Sequence, residues 1–348
     1  LSHIYTPIKS KRGVNVYRCD SCRLMQSYGS VYVSRPKGSM SCDADRASIK
    51  YTKSLVLKDQ LQWLKSKNVK LRTFRRVLDI GSNRGSFMNH FLQNSSSLMD
   101  YHAVETEPLF EELYPKHAKI RIDIDRIENV DLAQYDFVYF IHTLEHVADV
   151  HMVLRKIHDS IKDDGVIYIC VPNIAFCAHD SFSEIFIDPH TVHFERLTLI
   201  KALVNAGLEI MEINDTNEAE IKVLVKRFQN TSELTVLKES AFEISKYKQS
   251  IVNLRRQLTT SATEINSLST KRIFWGAGRI FDGLVKIGKV DFRDSDLVID
   301  KSIGDHFPYL FSRKIETSDC LIDINPMDYT VIICSNELNK GCKDISLI

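Results

Sequence analysis

The sequence predicts an α/β protein, with a Rossmann-like parallel-sheet core followed by a second, smaller Rossmann-like domain. Residues 76–87, RVLDIGSNRGSF, pass from a buried-strand pattern through a glycine-bounded turn into a helical pattern. A second strand pattern, YHAVETEP, lies about twenty residues on and ends at Glu105, the spacing at which an acid closes the first βα unit of a nucleotide site. From 271 the order repeats: KRIFWGAGRIFDGLVKIG gives strand, glycine turn and helix, DLVID ends at Asp300, and YTVIICS supplies another strand. Strands alternating with helices in this way fold as parallel sheets.

Composition sets outer bounds. At 348 residues and 44% hydrophobic, the chain has material for two cored domains. Lys and Arg total 46 against 45 Asp and Glu, so no overall field draws nucleic acid or an anionic membrane. With no apolar run of membrane length and no secretory signal pattern, the expected address is the cytoplasm. Eight cysteines in so long a chain, Cys170 and Cys334 among them within strand patterns, read as reduced core thiols.

Four segments are expected: 1–68, 69–230, 231–270 and 271–348. In the first, Cys19 and Cys22 have the spacing of a zinc knuckle, in which one turn offers two thiolates to a tetrahedral ion. His3 and Cys42 are the only other ligand types close by, so structural zinc and free thiols both remain open. Residues 43–67 have helical character, with Ile49, Leu55, Leu57, Leu61 and Leu64 on one broad face, and suit a lid helix. Tyr28, Tyr32 and Tyr51 read as packing residues.

The second segment holds the ligand loop. Val77, Leu78 and Ile80 supply the strand, Gly81 and Gly85 allow a tight turn against a ligand, and Ser86 to Leu92 start a helix whose first amides face it. Asn83 stands where glycine is commoner, but asparagine tolerates left-handed dihedrals. Glu105 can accept hydrogen bonds from both hydroxyls of an adenosine ribose, and the pairing of loop and acid implies S-adenosylmethionine. Asp79 joins the cofactor set, as does Asp123 at the end of IRIDID, where a carboxylate can receive an adenine amino group; Asp125 is its alternative. A nicotinamide-binding Rossmann domain is the rival, and the loop lacks its third-glycine spacing.

Farther on, YDFVYFIHTLEHVADV and LRKIHDSIKDDGVIYICVPN resemble the fourth and fifth strands and intervening helix of class I methyltransferases that modify small molecules and sugars. LEIMEIND and EIKVLVKRF resemble the antiparallel sixth and seventh strands that close the seven-stranded sheet of that family. The cysteine pair, this core, a joining helix and the terminal Gly-Ala-Gly unit are similar in order to the sugar C-methyltransferases. In that family a further cysteine pair of a zinc-binding region precedes the one matched here, and the resemblance implies a terminal domain that helps grip the substrate.

Candidate catalytic residues lie where the chain leaves the sheet: His142 and His146 in IHTLEHV, then His190 and His193 in IDPHTVHFERL. A neutral histidine is a base near pH 7. Glu145 and His146 match a Glu-His common in methyltransferases of varied substrate and suggest helix-start structure. Aligned on the family's proposed base, His190 takes its place, but Ile187, Asp188 and Pro189 replace the Tyr-His-Glu before it; His190, His193 and Phe194 instead meet the His-x-x-His-Phe of related O-methyltransferases. His190 and His193 as a metal pair lack an obvious third ligand. The helical pattern over 234–268 reads as a connector or a dimer coiled coil. Asp300 makes a dinucleotide a rival ligand for the last segment, against which Phe281 stands where a third glycine belongs; a packing domain without ligand is the other reading. For the whole chain, a methyltransferase acting on a nucleotide-linked sugar or similar polar molecule is the expectation, and a non-catalytic scaffold that keeps the fold is the alternative.

Overall fold

The computed structural model describes residues 15–20, 22–28, 56–177, 190–215, 218–228, 244–300, 309–322 and 324–334. Their contacts divide them into two compact units, one ending at residue 228 and one beginning at 244. His3, Cys42, Tyr32, Tyr51 and residues 187–189 lie outside the described residues.

In the first unit, β1 (Asn15–Arg18) and β2 (Met25–Tyr28) form a hairpin around the cysteine pair. The main sheet contains β3 (Arg76–Ile80), β4 (Asp100–Glu105), β5 (Ile120–Ile124), β6 (Tyr135–Ile141) and β7 (Ile161–Pro172). After them come β8 (Val192–His193), which belongs to the hairpin, and β9 (Leu208–Ile213) and β10 (Glu220–Arg227). Strand order is β5-β4-β3-β6-β7-β10-β9, the seven-stranded sheet expected. The first five strands are parallel, and β10 runs antiparallel to both β7 and β9. The order reverses at β3 and β6, so a crevice is expected at their carboxyl ends.

Strand alternation gives the two faces of this sheet different chemistry. Leu78, Ile80, Val138, Phe140, Ile167, Ile169, Val171, Val223 and Val225 make one aliphatic layer. Its cover is α3 (Val150–Ser160) and α4 (Arg196–Asn205). Val150, Val153, Leu154 and Ile157 recur at helical spacing on α3, whose cap, Asp149, accepts from the Met152 amide at 2.9 Å. Glu195 and Thr198 form a reciprocal capping box that starts α4.

The opposite face is aromatic and polar. On it α2 (Ser86–Asn94) sets Phe87 and Phe91 against Tyr139 and Tyr101, with ring centroids 5.0 and 5.8 Å apart. Helix α1, residues 56–66, is the described part of the expected lid segment, and it packs by Trp63 on Tyr168 of β7. Gln60 of α1 is buried; it accepts from the Tyr168 hydroxyl and donates to Glu220 on β10. Asp59 holds Lys222 of β10 at 2.6 Å.

The second unit has its own five-stranded sheet, ordered β13-β14-β12-β11-β15: β11 (Lys271–Trp275), β12 (Leu297–Ile299), β13 (Tyr309–Leu310), β14 (Arg313–Glu316) and β15 (Tyr329–Ile333). β11, β12, β14 and β15 are mutually parallel. The described part of the long helix, α5 (Ile244–Ser267), turns Leu258 and Ala262 toward Gly288, where any side chain would press on the Leu258 carbonyl. Short α6 (Arg279–Gly283) carries Phe281 fully inside, among Phe274, Phe292 and Phe311. An aromatic core thus occupies the position where a dinucleotide motif would have glycine. No described helix is long and apolar enough to cross a membrane.

Arg272 has no solvent exposure, and its guanidinium meets Asp296 through two bonds while also reaching the carbonyls of Ile265 and Asp291. Removing one partner leaves an uncompensated buried charge. Asp296→Ala is therefore expected to cost about 3–5 kcal/mol, read as a fall in the unfolding midpoint of this unit by chemical denaturation.

Candidate active site

The loop after β3 closes on itself through three side chains. Gly81, Asn83 and Gly85 all have positive φ, at 77, 49 and 70°. A Cβ on Gly81 would stand 2.1 Å from the Thr143 hydroxyl oxygen, so glycine is required where the loop meets the turn after β6. Tyr114 donates to the Asn83 carbonyl at 2.6 Å and shares a 2.7 Å bond with Ser82. Glu105, buried at the end of β4, accepts from the amides of Asn83 at 2.7 Å, Thr106 at 2.9 Å and Glu107 at 3.0 Å. Burial pushes its pKa up, and these three amides oppose the rise.

These residues suit the adenosyl and methionyl ends of S-adenosylmethionine. Gly85 caps α2 without a side-chain bond, and the first turn has no acid, so its amides face the loop ready for an anion. Among the described residues the buried Asn83 Oδ1 meets no hydrogen-bond donor.

Two other expected cofactor residues have partners within the protein. Asp79 is 3% exposed and lies beneath the loop, on the aromatic face. It accepts from the Tyr101 hydroxyl at 2.7 Å, and Tyr101 in turn bonds Tyr139. Burial raises the Asp79 pKa to about 7 despite these hydroxyls. Asp123 bonds Nε2 of the buried His102 at 2.6 Å, with Arg121 at 3.4 Å. Asp125 instead accepts from the Arg126 amide and Asn129.

Across the crevice, His142 takes a left-handed conformation, φ 52°, and starts a turn that leads through Thr143 into Leu144–His146. Its Nε2 donates to Glu220 at 2.7 Å. Burial would lower the His142 pKa, but Cys170, Glu145 and Glu220 outweigh it and raise the pKa well above the usual histidine value. The shift favours the protonated imidazole, a counter-charge to Glu145 and Glu220, and argues against its expected role as base.

Glu145 is the buried anion of the site, 1% exposed. Burial would raise its pKa, yet the imidazoles of His142, His146 and His190 hold it down to about 2. His190 is brought here by its neighbour: the Thr191 amide and hydroxyl donate to the Glu145 carbonyl, and the hydroxyl also reaches that of Val147. The His146 and His190 rings meet edge to face at 4.8 Å. Glu145 and His146, read from sequence as helix-start structure, thus join His190 at the site. The missed signal was spatial, since Glu145 and His190 are far apart in the chain.

His193 lies beside this group, its ring 6.5 Å from that of His190, but is tied to the hairpin. It is buried, Ser27 bonds its Nε2 at 2.5 Å, and burial with the nearby His190 lowers its pKa to about 3. Its β8 pairs with β2, so it joins two segments and is poorly placed to act as a base. Within that hairpin the Cys19 amide donates to the Leu24 carbonyl and the Arg23 amide to the Cys19 carbonyl, a tight turn that holds both thiols. Among the described residues no third ligand type joins Cys19 and Cys22. In the second unit Asp300 accepts from the Ala277 amide at 2.9 Å, bracing its own glycine turn.

Residues 55–213 match a family model described as a methyltransferase domain. Among solved structures, an S-adenosylmethionine-dependent methyltransferase from Clostridium acetobutylicum is 13% identical with TM-score 0.42, over 51% of this chain and 99% of that one. A similar likeness to an S-adenosylmethionine-dependent methyltransferase from Mesorhizobium loti has 13% identity and TM-score 0.39, over 45% and 93%. Human N-acetylserotonin methyltransferase in complex with SAM gives 12% and 0.42, over 56% and 61%. No curated protein matches the sequence.

The buried Asp79 has a pH signature. Because its folded pKa lies above the unfolded value, stability from its protonated form is complete below about pH 4 and is lost as pH rises to about 7. The ionised form then costs on the order of 4 kcal/mol. Asp79→Asn removes this titration, so its melting temperature should gain on that of the wild type between pH 5 and pH 8. An unchanged difference across that range would show that Asp79 titrates normally.

Proposed function

We propose that the class I, S-adenosylmethionine-dependent methyltransferase domain of residues 55–213 methylates a hydroxyl-bearing polar small molecule, with a nucleotide-linked sugar as the substrate class. The observation that carries the reading is the contact of Gly81 with Thr143, which sets the glycine loop directly against the turn bearing His142, Glu145 and His146. The order of cysteine pair, core, long helix and Gly-Ala-Gly unit supports the sugar class.

Bound S-adenosylmethionine supplies an activated methyl group on a sulfonium. The chain's residues hold and aim. Glu105 can accept from a ribose hydroxyl at Oε2, which has a second lone pair beyond the one used by the Asn83 amide, whereas Oε1 already takes the Thr106 and Glu107 amides. The amides opening α2 suit the methionyl carboxylate, and Asp123 or Asp125 stands at the β5 edge for the adenine. Asp79 takes a supporting part, fixing the strand end beneath the loop. Glu145, His146 and His190 act as one unit on the acceptor, orienting its hydroxyl and favouring the loss of its proton, while His142 counters the charges of Glu145 and Glu220.

Calorimetry should find binding of S-adenosylmethionine and its demethylated product, weakened by Glu105→Ala. In a mass-spectrometric assay over nucleotide sugars with labelled cofactor, His190→Ala should lower turnover by about a hundredfold while leaving cofactor affinity and melting temperature nearly unchanged. Absence of cofactor binding would overturn the reading, and full activity in the variant would remove His190 from it.

A further inference from the structure

Among the described residues neither carboxylate oxygen of Glu145 meets a hydrogen-bond donor, although the side chain is almost fully buried. Its nearest imidazole nitrogens are Nδ1 of His142 at 3.7 Å and Nε2 of His146 at 3.9 Å, too far for hydrogen bonds. Burying an anion without donors is costly, and such groups are as a rule paired or bound to metal. One ligand atom from each of Glu145, His146 and His190 lies within 4.8 Å of the other two. Glu145 and His190, with the Ser27-bonded His193, also line a cavity of about 10 Å³, bounded by Val192 and Phe194, with room for a single water or ion.

We infer that Glu145, His146 and His190 bind a divalent transition-metal ion with a coordination position left for an oxygen of the acceptor. Two imidazoles and one carboxylate suit zinc, manganese or iron(II); magnesium and calcium prefer all-oxygen sets. Three protein ligands plus one exchangeable oxygen is the pattern of catalytic zinc sites. In a tetrahedral site the ligand atoms stand about 3.4 Å apart, so the present spread closes with small rotations of the two half-buried imidazoles. A second group, on the sheet edge beside it, shows the contrast. His142, Cys170 and Glu220 also converge, but His142 and the Cys170 thiol both hydrogen-bond to Glu220 and close that group without an ion.

The identity of the oxygen in the open position rests on the methyltransferase reading; the ion site does not. The test uses full-length protein stripped with chelator, in a Cys19→Ser, Cys22→Ser background that removes the thiol pair. Titration with zinc chloride by calorimetry, and with Mn²⁺ by electron paramagnetic resonance, should give one ion per chain. Glu145→Gln and His190→Ala, each in that background, should lose it with circular dichroism unchanged. S-Adenosylmethionine is titrated into the same samples, so failure of cofactor binding with ion binding intact counts against the methyltransferase reading alone. The inference is overturned if the parent binds neither ion, or if the folded variants bind as tightly as the parent.

Discussion

A carboxylate with almost no exposure must have its charge answered, and around Glu145 that demand gathers the site. The turn after β6 sends His142 into a left-handed conformation, toward Glu220 on β10. Glu220 is held in turn by Gln60 of α1, whose own oxygen is engaged by Tyr168. On the other side Thr191 fastens the chain to the Glu145 carbonyl and brings His190 up to the carboxylate. Four separate stretches of sequence are therefore fixed by reference to one buried charge, while Thr143, in the same turn, abuts Gly81 and so links that charge to the ligand loop.

Both units solve the glycine-turn problem in the same way. Glu105 accepts from the Asn83 amide, and Asp300 from the Ala277 amide. An acid at the end of the neighbouring strand thus braces the turn from within, whatever else it binds. The units differ one turn later, where α2 opens at a left-handed Gly85 with no acid in its first turn, whereas α6 carries Asp282 there and locks Phe281 into an aromatic cluster. That difference favours the first loop as the ligand site, and the sequence already carried it in Gly85 and Phe281.

What was legible in the sequence was local. Strand runs, glycine turns and helix periods fall within a dozen residues, and they yielded the seven-stranded sheet and the second sheet. Asp79 could have been read more closely, because alternation along β3 puts it on the face of Val77, toward α2 and the tyrosines. The histidines were harder. His190 and His193 looked alike in IDPHTVHF, yet strand pairing with β2 turns His193 toward Ser27, while Thr191 leaves His190 with Glu145. No periodicity encodes a contact between residues so far apart, so the sequence offers no obvious third partner for His190. Residue types identified the actors, but tertiary pairing assigned their parts.

The hairpin also has a consequence in time. Ser27 and His193 bond across 166 positions of sequence, and β8 has β2 as its neighbour in a small sheet of three strands. During synthesis β1 and β2 can pair at once, but β2 must wait for the 166 positions that separate Ser27 from His193 before β8 exists. By then the parallel strands β3 to β7 of the core have been made and can pair with one another first. The glycine loop's partners, Glu105, Tyr114 and Thr143, are thus all made before the segment that brings His190 to Glu145.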